Sequence, residues 1–248
     1  MPVYSPDGKT IAFISDRSGS WQIWICDSEG SKAVQLTFLE RGVYAPRWSW
    51  DNRQIAFCAG DDIYIVSANG GVPRSLTTEK GQNKWPYWSR DGKWIYFDST
   101  RSGRDEIWKM PANNGEAVRI TRNGGDMPQE SPDGKTIYYM KGFHTQTILS
   151  VWRMPVDGGE EAQVLDSVSS DIQWTVANDG IYFFRKPDAK SHSDLCLYEF
   201  ATSKIRKILT IERPLGGGIA VSPDSKTILY FQVDGEPSRD LMLVENFR

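Results

Sequence analysis

The chain has 248 residues, 25% charged and 39% hydrophobic, ordinary values for a globular protein. Its formal net charge of −3 excludes the basic footprint of a nucleic-acid-binding domain. No apolar run approaches the roughly 18 residues of a membrane span, and the opening "MPVYSPDGK" lacks both parts of a signal peptide.

The first predicted elements are a turn at Ser5-Pro6-Asp7-Gly8 and a strand around Ile11, with Phe13 two residues on. Proline fixes φ at the corner, aspartate bonds its own backbone, and glycine takes positive φ. The pair returns down the chain, with anchors at Ile55, Ile95, Ile137, Ile181 and Ile228. The aromatics two residues later are Phe57, Phe97, Tyr139, Phe183 and Tyr230, the period-2 alternation of a strand. The preceding corners are Ser49-Trp50-Asp51-Asn52, Ser89-Arg90-Asp91-Gly92, Ser131-Pro132-Asp133-Gly134, Ala177-Asn178-Asp179-Gly180 and Ser222-Pro223-Asp224-Ser225.

A second turn follows each anchor, as in "SDRSGS" at Ser15, then a third strand such as Ile23-Trp24 or Ile107-Trp108. A Gly corner (Gly30, Gly70-Gly71, Gly115, Gly158-Gly159) leads to a short strand ending at Leu36-Thr37, Leu76-Thr77, Ile120-Thr121, Leu165-Asp166 and Leu209-Thr210. A further strand, such as "YAPRWS" at Tyr44 or "KWPYWS" at Lys84, precedes each turn. No segment combines a cap, a 3.6-residue apolar period and freedom from Gly and Pro, so no helix is predicted. Ten Trp, ten Tyr and ten Phe suit half-buried strand surfaces.

Four short antiparallel strands per repeat make a propeller blade. The prediction is a single all-β domain over 1–248, a six-bladed β-propeller of four-stranded blades at about 1–38, 39–78, 79–122, 123–167, 168–211 and 212–248. The last blade has three strands, because "DLMLVENFR" is followed by no Gly corner. Its open edge at Leu241 to Phe247 is a pairing hazard, so the chain is expected as a monomer or an edge-paired dimer. The chain enters directly into a repeat, which points to a segment of a larger protein.

The corner, anchor, "I-Y/W", "G-G" and "L-T" resemble the WD40-like Pro-Asp repeat of the TolB family. Pro86, Trp88, Ser89, Asp91, Gly92, Lys93, Ile95, Phe97, Arg101 and Gly103 carry the pattern in the third repeat. The resemblance implies a bacterial propeller used as a binding platform, periplasmic or extracytoplasmic. Similar repeats end regulators that carry a winged-helix domain and a membrane helix. Others form the substrate-gating propeller of prolyl-oligopeptidase-type hydrolases, the alternative reading.

Chemistry-bearing motifs are few. There is no G-x-S-x-G, and His144 and His192 lie in polar loops. Neither zinc spacing nor a calcium loop is present. The corner aspartates recur once per repeat, so they read as structure rather than as a catalytic pair. "GGG" at Gly216 precedes no helix, so it is no phosphate cradle. Cys26, Cys58 and Cys196 lie in apolar strands and read as buried thiols; a Cys26–Cys58 bridge is left open. The sequence therefore predicts no enzyme, no cofactor and no metal. It predicts recognition of a protein, peptide or small polar ligand at the channel mouth. The residues are Arg41, Tyr44, Lys84, Trp85, Tyr87, Asp126, Gln129, Asp171 and Gln173, in the connections entering each repeat and on the strands that follow.

Overall fold

The computed structural model describes residues 2–78, 81–142, 149–169, 173–185, 188–189, 192–233 and 239–245. The first sheet contains β1 (Val3–Tyr4), β2 (Thr10–Ser15), β3 (Gln22–Asp27) and β4 (Val34–Gln35); the second contains β5 (Val43–Trp48), β6 (Gln54–Ala59), β7 (Asp62–Ser67) and β8 (Arg74–Ser75). The third holds β9 (Asn83–Trp88), β10 (Trp94–Ser99), β11 (Glu106–Pro111) and β12 (Val118–Arg119); the fourth holds β13 (Asp126–Glu130), β14 (Thr136–Lys141), β15 (Leu149–Pro155) and β16 (Ala162–Val168). The fifth is β17 (Trp174–Val176), β18 (Gly180–Phe184), β19 (Ser193–Glu199) and β20 (Ile205–Ile211). The last, β21 (Leu215–Val221), β22 (Thr227–Val233) and β23 (Arg239–Glu245), is three-stranded.

The fold is an all-β propeller of four-stranded antiparallel blades. The described residues form five complete four-stranded blades rather than six, and the last repeat contributes the three-stranded sheet. The first strands of successive sheets touch in order, β1 to β5 to β9 to β13 to β17 to β21 and back to β1.

The Ser-x-Asp corner works through its serine. Ser89 Oγ donates to Asp91 Oδ1 at 2.6 Å and accepts the Trp94 amide at 2.9 Å, while the Lys93 amide donates to the same Asp91 oxygen. The same set recurs at Ser5, Ser49, Ser131 and Ser222. These bonds, the serine hydroxyl foremost, hold Asp7, Asp51, Asp91, Asp133 and Asp224 below the usual carboxylate range. Their stabilisation is therefore present above the ordinary aspartate pKa of about 4 and is lost as pH falls through the lower folded values. The fifth repeat lacks the serine, and Asp179 instead accepts from the hydroxyls of Tyr182 and Ser225.

The threonine of "L-T" has an equally specific task. Thr121 Oγ1 accepts the Ile107 amide at 2.8 Å and donates to Glu106 Oε2 at 2.6 Å, pinning the short outer strand to its neighbour. Thr37 with Gln22, and Thr77 with Asp62, repeat the arrangement.

Each apolar cluster lies between sheets. Ile23 and Leu36 of the first repeat meet Trp48 and Phe57 of the second; Tyr182 and Leu195 of the fifth meet Ile219 and Ile228 of the last. Ile11 and Cys26 meet Ala220 and Leu229 where the last sheet faces the first. Indole hydrogen bonds add to this. Trp48 Nε1 donates to the Val3 carbonyl, and Trp88 Nε1 to the Arg47 carbonyl, each reaching the preceding sheet. All three cysteines are buried free thiols, so the open question of a Cys26–Cys58 bridge closes against it.

Replacing Ser89 by Ala removes the side-chain acceptor of the half-buried Trp94 amide, and the expected loss is about 1 kcal/mol in urea unfolding. Gly180 admits no side chain, since a Cβ there would lie 2.1 Å from the Tyr198 carbonyl oxygen. Gly180→Ala is expected to cost about 2 kcal/mol or more in the same measurement.

Candidate functional site

The inner strands β5, β9, β13 and β21 share a distortion. Ala45, Trp85 and Met127 have φ of 53°, 51° and 51°, and Gly218 has φ of 96°. The register with the second strand slips at each of these places. Left-handed backbone at alanine, tryptophan and methionine costs on the order of 1 kcal/mol each. The bulge separates the strand starts, at Tyr44, Lys84 and Asp126, from the strand ends, at Arg47, Tyr87 and Gln129.

An axial cavity of about 330 Å³ lies at the strand ends. One residue from every repeat lines it, always two positions before the corner: Val3, Arg47, Tyr87, Gln129, Thr175 and Ala220. Trp50 and Arg90 line it further out, with the Arg90 guanidinium 3.6 Å above the Trp50 ring. The lining contains two arginines and no carboxylate. Burial pushes the Arg47 guanidinium down from its ordinary pKa and the Tyr87 phenol up, Arg90 and Arg47 opposing the latter.

The strand starts differ. The Tyr44 and Trp85 rings meet edge-on at 6.0 Å, and Tyr44 Oη donates to the Gly60 carbonyl at 3.3 Å. Arg41 is exposed and lies over Gly60, its Nη1 3.0 Å from the place of a Cβ. Beneath them Asp98 and Asp126 are buried, and Lys84 faces Asp98 across the β9–β10 ladder. Burial, with Asp126 and Asp105 nearby, pushes the Asp98 carboxyl well above the usual range, and Lys84 opposes that shift.

Of the nine residues predicted from sequence, Tyr87 and Gln129 line the cavity, while Arg41, Tyr44, Lys84, Trp85 and Asp126 lie at the strand starts. Trp85 also packs between two sheets, touching the clusters of Ala45 and of Met127. Gln173 Nε2 donates to the Gly216 carbonyl at 2.8 Å, tying the fifth repeat to the last. Asp171 and His144 lie outside the described residues, and His192 pairs with Asp188 in a loop. Sequence missed Arg47, Arg90 and Asp98. Asp98 stands three residues after its anchor, where the other repeats carry Ile14, Cys58, Met140, Phe184 and Phe231. The one charge in that apolar column was the available signal.

A ring of sheets with residues from every repeat converging on its axis defines a propeller that serves as a binding scaffold. The chain belongs to the TolB beta propeller domain family, matched over residues 44–215. An uncharacterized protein of Agrobacterium fabrum, Atu1656, is 32% identical over 65% of this chain and 59% of its own length. An uncharacterized peptidase of Bacillus subtilis, YuxL, is 31% identical over 56% of this chain and 21% of its own length. The chain thus spans well under two thirds of these relatives. TolB from Acinetobacter baumannii superposes with a TM-score of 0.79 at 18% identity, covering 96% of this chain and 61% of that one. An oligogalacturonate lyase in complex with manganese superposes with a TM-score of 0.70 at 13% identity, covering 98% and 73%. No helix among the described residues is long and apolar enough to cross a membrane.

The expectation of no enzyme is corrected. The relatives include a protein named as a peptidase, and the fold is shared with a lyase. From sequence only the recurring corner aspartates stand out as a carboxylate pair, and a pair formed between unlike positions has no linear signature. The fold brings Asp98 and Asp126 together, 28 positions apart and outside the recurring corners.

Burial, with the buried Asp126 beside it, favours the protonated form of the Asp98 carboxyl. Because the folded Asp98 pKa is raised, its favourable contribution is full below the unfolded pKa of about 4 and is lost as pH rises through the folded value. Asp98→Asn removes that loss. Urea unfolding from pH 5 to 8 is expected to show a shallower decline than wild type, and greater stability at pH 8.

Proposed function

We propose that this domain recognises a protein or peptide partner at the strand-start mouth, through Arg41, Tyr44, Lys84 and Trp85, within an extracytoplasmic sensor or envelope protein. The three-stranded sheet acts as a sixth blade, so the domain is one six-bladed ring over 1–248. The observation that carries the reading is the Tyr44–Trp85 pair. It joins two repeats at a mouth flanked by the exposed Arg41, and its tryptophan is held at a φ of 51°. Tryptophan and arginine dominate binding energy at protein interfaces.

A second reading is a propeller that gates substrate access to a hydrolase. The peptidase-named relative favours it, since the chain matches only 21% of that protein's length.

Crosslinked partners should be quantified from cells expressing wild type or the double variant Arg41→Glu, Lys84→Glu, with circular dichroism to confirm folding. A specific partner is expected to weaken by about 10-fold or more, in line with loss of interface charges. A partner retained equally by both would overturn the assignment to this mouth.

A further inference from the structure

The axial cavity at the strand ends is separate from the strand-start mouth, and its chemistry is unbalanced. Arg47 makes one described hydrogen bond, Nη1 to the Pro46 carbonyl at 2.9 Å, and no ion pair among the described residues. Arg47 is half-buried, and a partly desolvated guanidinium without a counter-ion is destabilising. Arg90 is different. Glu130 is close by, accepting from the Arg90 amide and from the Tyr96 hydroxyl, and Trp50 stacks beneath the guanidinium.

Gln129 supplies a second unmet group. Its Oε1 accepts from the Val176 amide at 2.9 Å and the Thr175 hydroxyl at 3.3 Å, which fixes the orientation of the amide. Its Nε2 is then a donor with no partner among the described residues, on a side chain only 2% exposed in the cavity wall. Arg47 and Gln129 both line a space of about 330 Å³ in which no carboxylate stands among the described lining residues. That volume suits a small molecule. The surrounding Tyr87, Trp48 and Trp50 rings suit an apolar body.

We infer that the axial cavity binds a small organic carboxylate, its carboxylate paired with Arg47 and its body against the aromatic wall. Guanidinium and carboxylate match as a planar bidentate pair, which an inorganic anion with no apolar part would use less fully. The carboxylate is that of a free acid or of a peptide C-terminus. The inference is independent of the partner proposed for the opposite mouth.

The test is calorimetric titration of the intact domain with benzoate, benzamide, inorganic phosphate and a free dipeptide, Gly-Phe, beside its C-terminal amide. Benzoate is expected to bind about 10-fold or more tightly than benzamide, the scale of one charge-assisted pair. Gly-Phe binding with loss on amidation assigns the peptide source; benzoate alone assigns the free acid. Arg47→Met is expected to abolish the benzoate preference while leaving the unliganded domain at least as stable, because an uncompensated charge is removed. Equal binding of benzoate and benzamide, phosphate binding alone, or no binding of any probe would overturn the inference. Were the variant not to fold, the benzoate–benzamide comparison on wild type decides alone.

Discussion

A single four-stranded sheet in this protein has two apolar faces and nothing of its own to cover them. Every cluster of buried side chains is shared between two repeats, as where Phe57 and Trp48 meet Ile23, or Phe97 and Ile95 meet Ile65 and Leu76. Burial is therefore a property of neighbours, and the ring is the arrangement that gives each sheet two of them. The serine–aspartate corners and threonine clasps then fix each sheet's shape, and the tryptophan indoles fix its spacing from the next. Everything the axis presents depends on that spacing.

The repeat was legible because its parts are local. A corner needs serine, aspartate and glycine within four residues, and a strand needs period-2 burial; both are visible at Ser89 to Phe97 without any partner. The three strands described for the last repeat were also visible, since no Gly corner like those before β4, β8 and β12 follows them in this sequence. The axial site was read only through Tyr87 and Gln129, although a further trace of it was present. Arg47 occupies a column otherwise filled by Val3, Tyr87, Gln129, Thr175 and Ala220, and Asp98 occupies a column of apolar residues. Departures from a repeat carry more functional information than its recurring residues. Candidate residues were instead drawn from the connections, which gathers both ends of each inner strand into one supposed mouth. The bulges at Ala45, Trp85 and Met127, which hold those ends apart, have no compositional signature.

The two charged departures place opposite demands on the same wall. Burial and the neighbouring Asp126 push the Asp98 carboxyl toward its protonated form. Arg47 has no such recourse, because a guanidinium stays charged throughout the accessible pH range. The axis thus carries an acid pushed toward neutrality near one end and a permanent cation near the other. A rigid wall that cannot relax around a cation keeps that cation available.

The junction of the last sheet with the first has a consequence for the order of events in folding. Ile11 and Cys26 pack on Ala220 and Leu229, side chains separated by nearly the whole chain, whereas the other junctions join repeats adjacent in sequence. Loop closure makes such a distant contact the slowest to form. A nascent chain therefore passes through an open arc whose two ends expose apolar faces until the last repeat arrives. The seam at Ala220 is the natural place for a chaperone, a second copy or a folding block to intervene, and the one place where the ring has a time of closing.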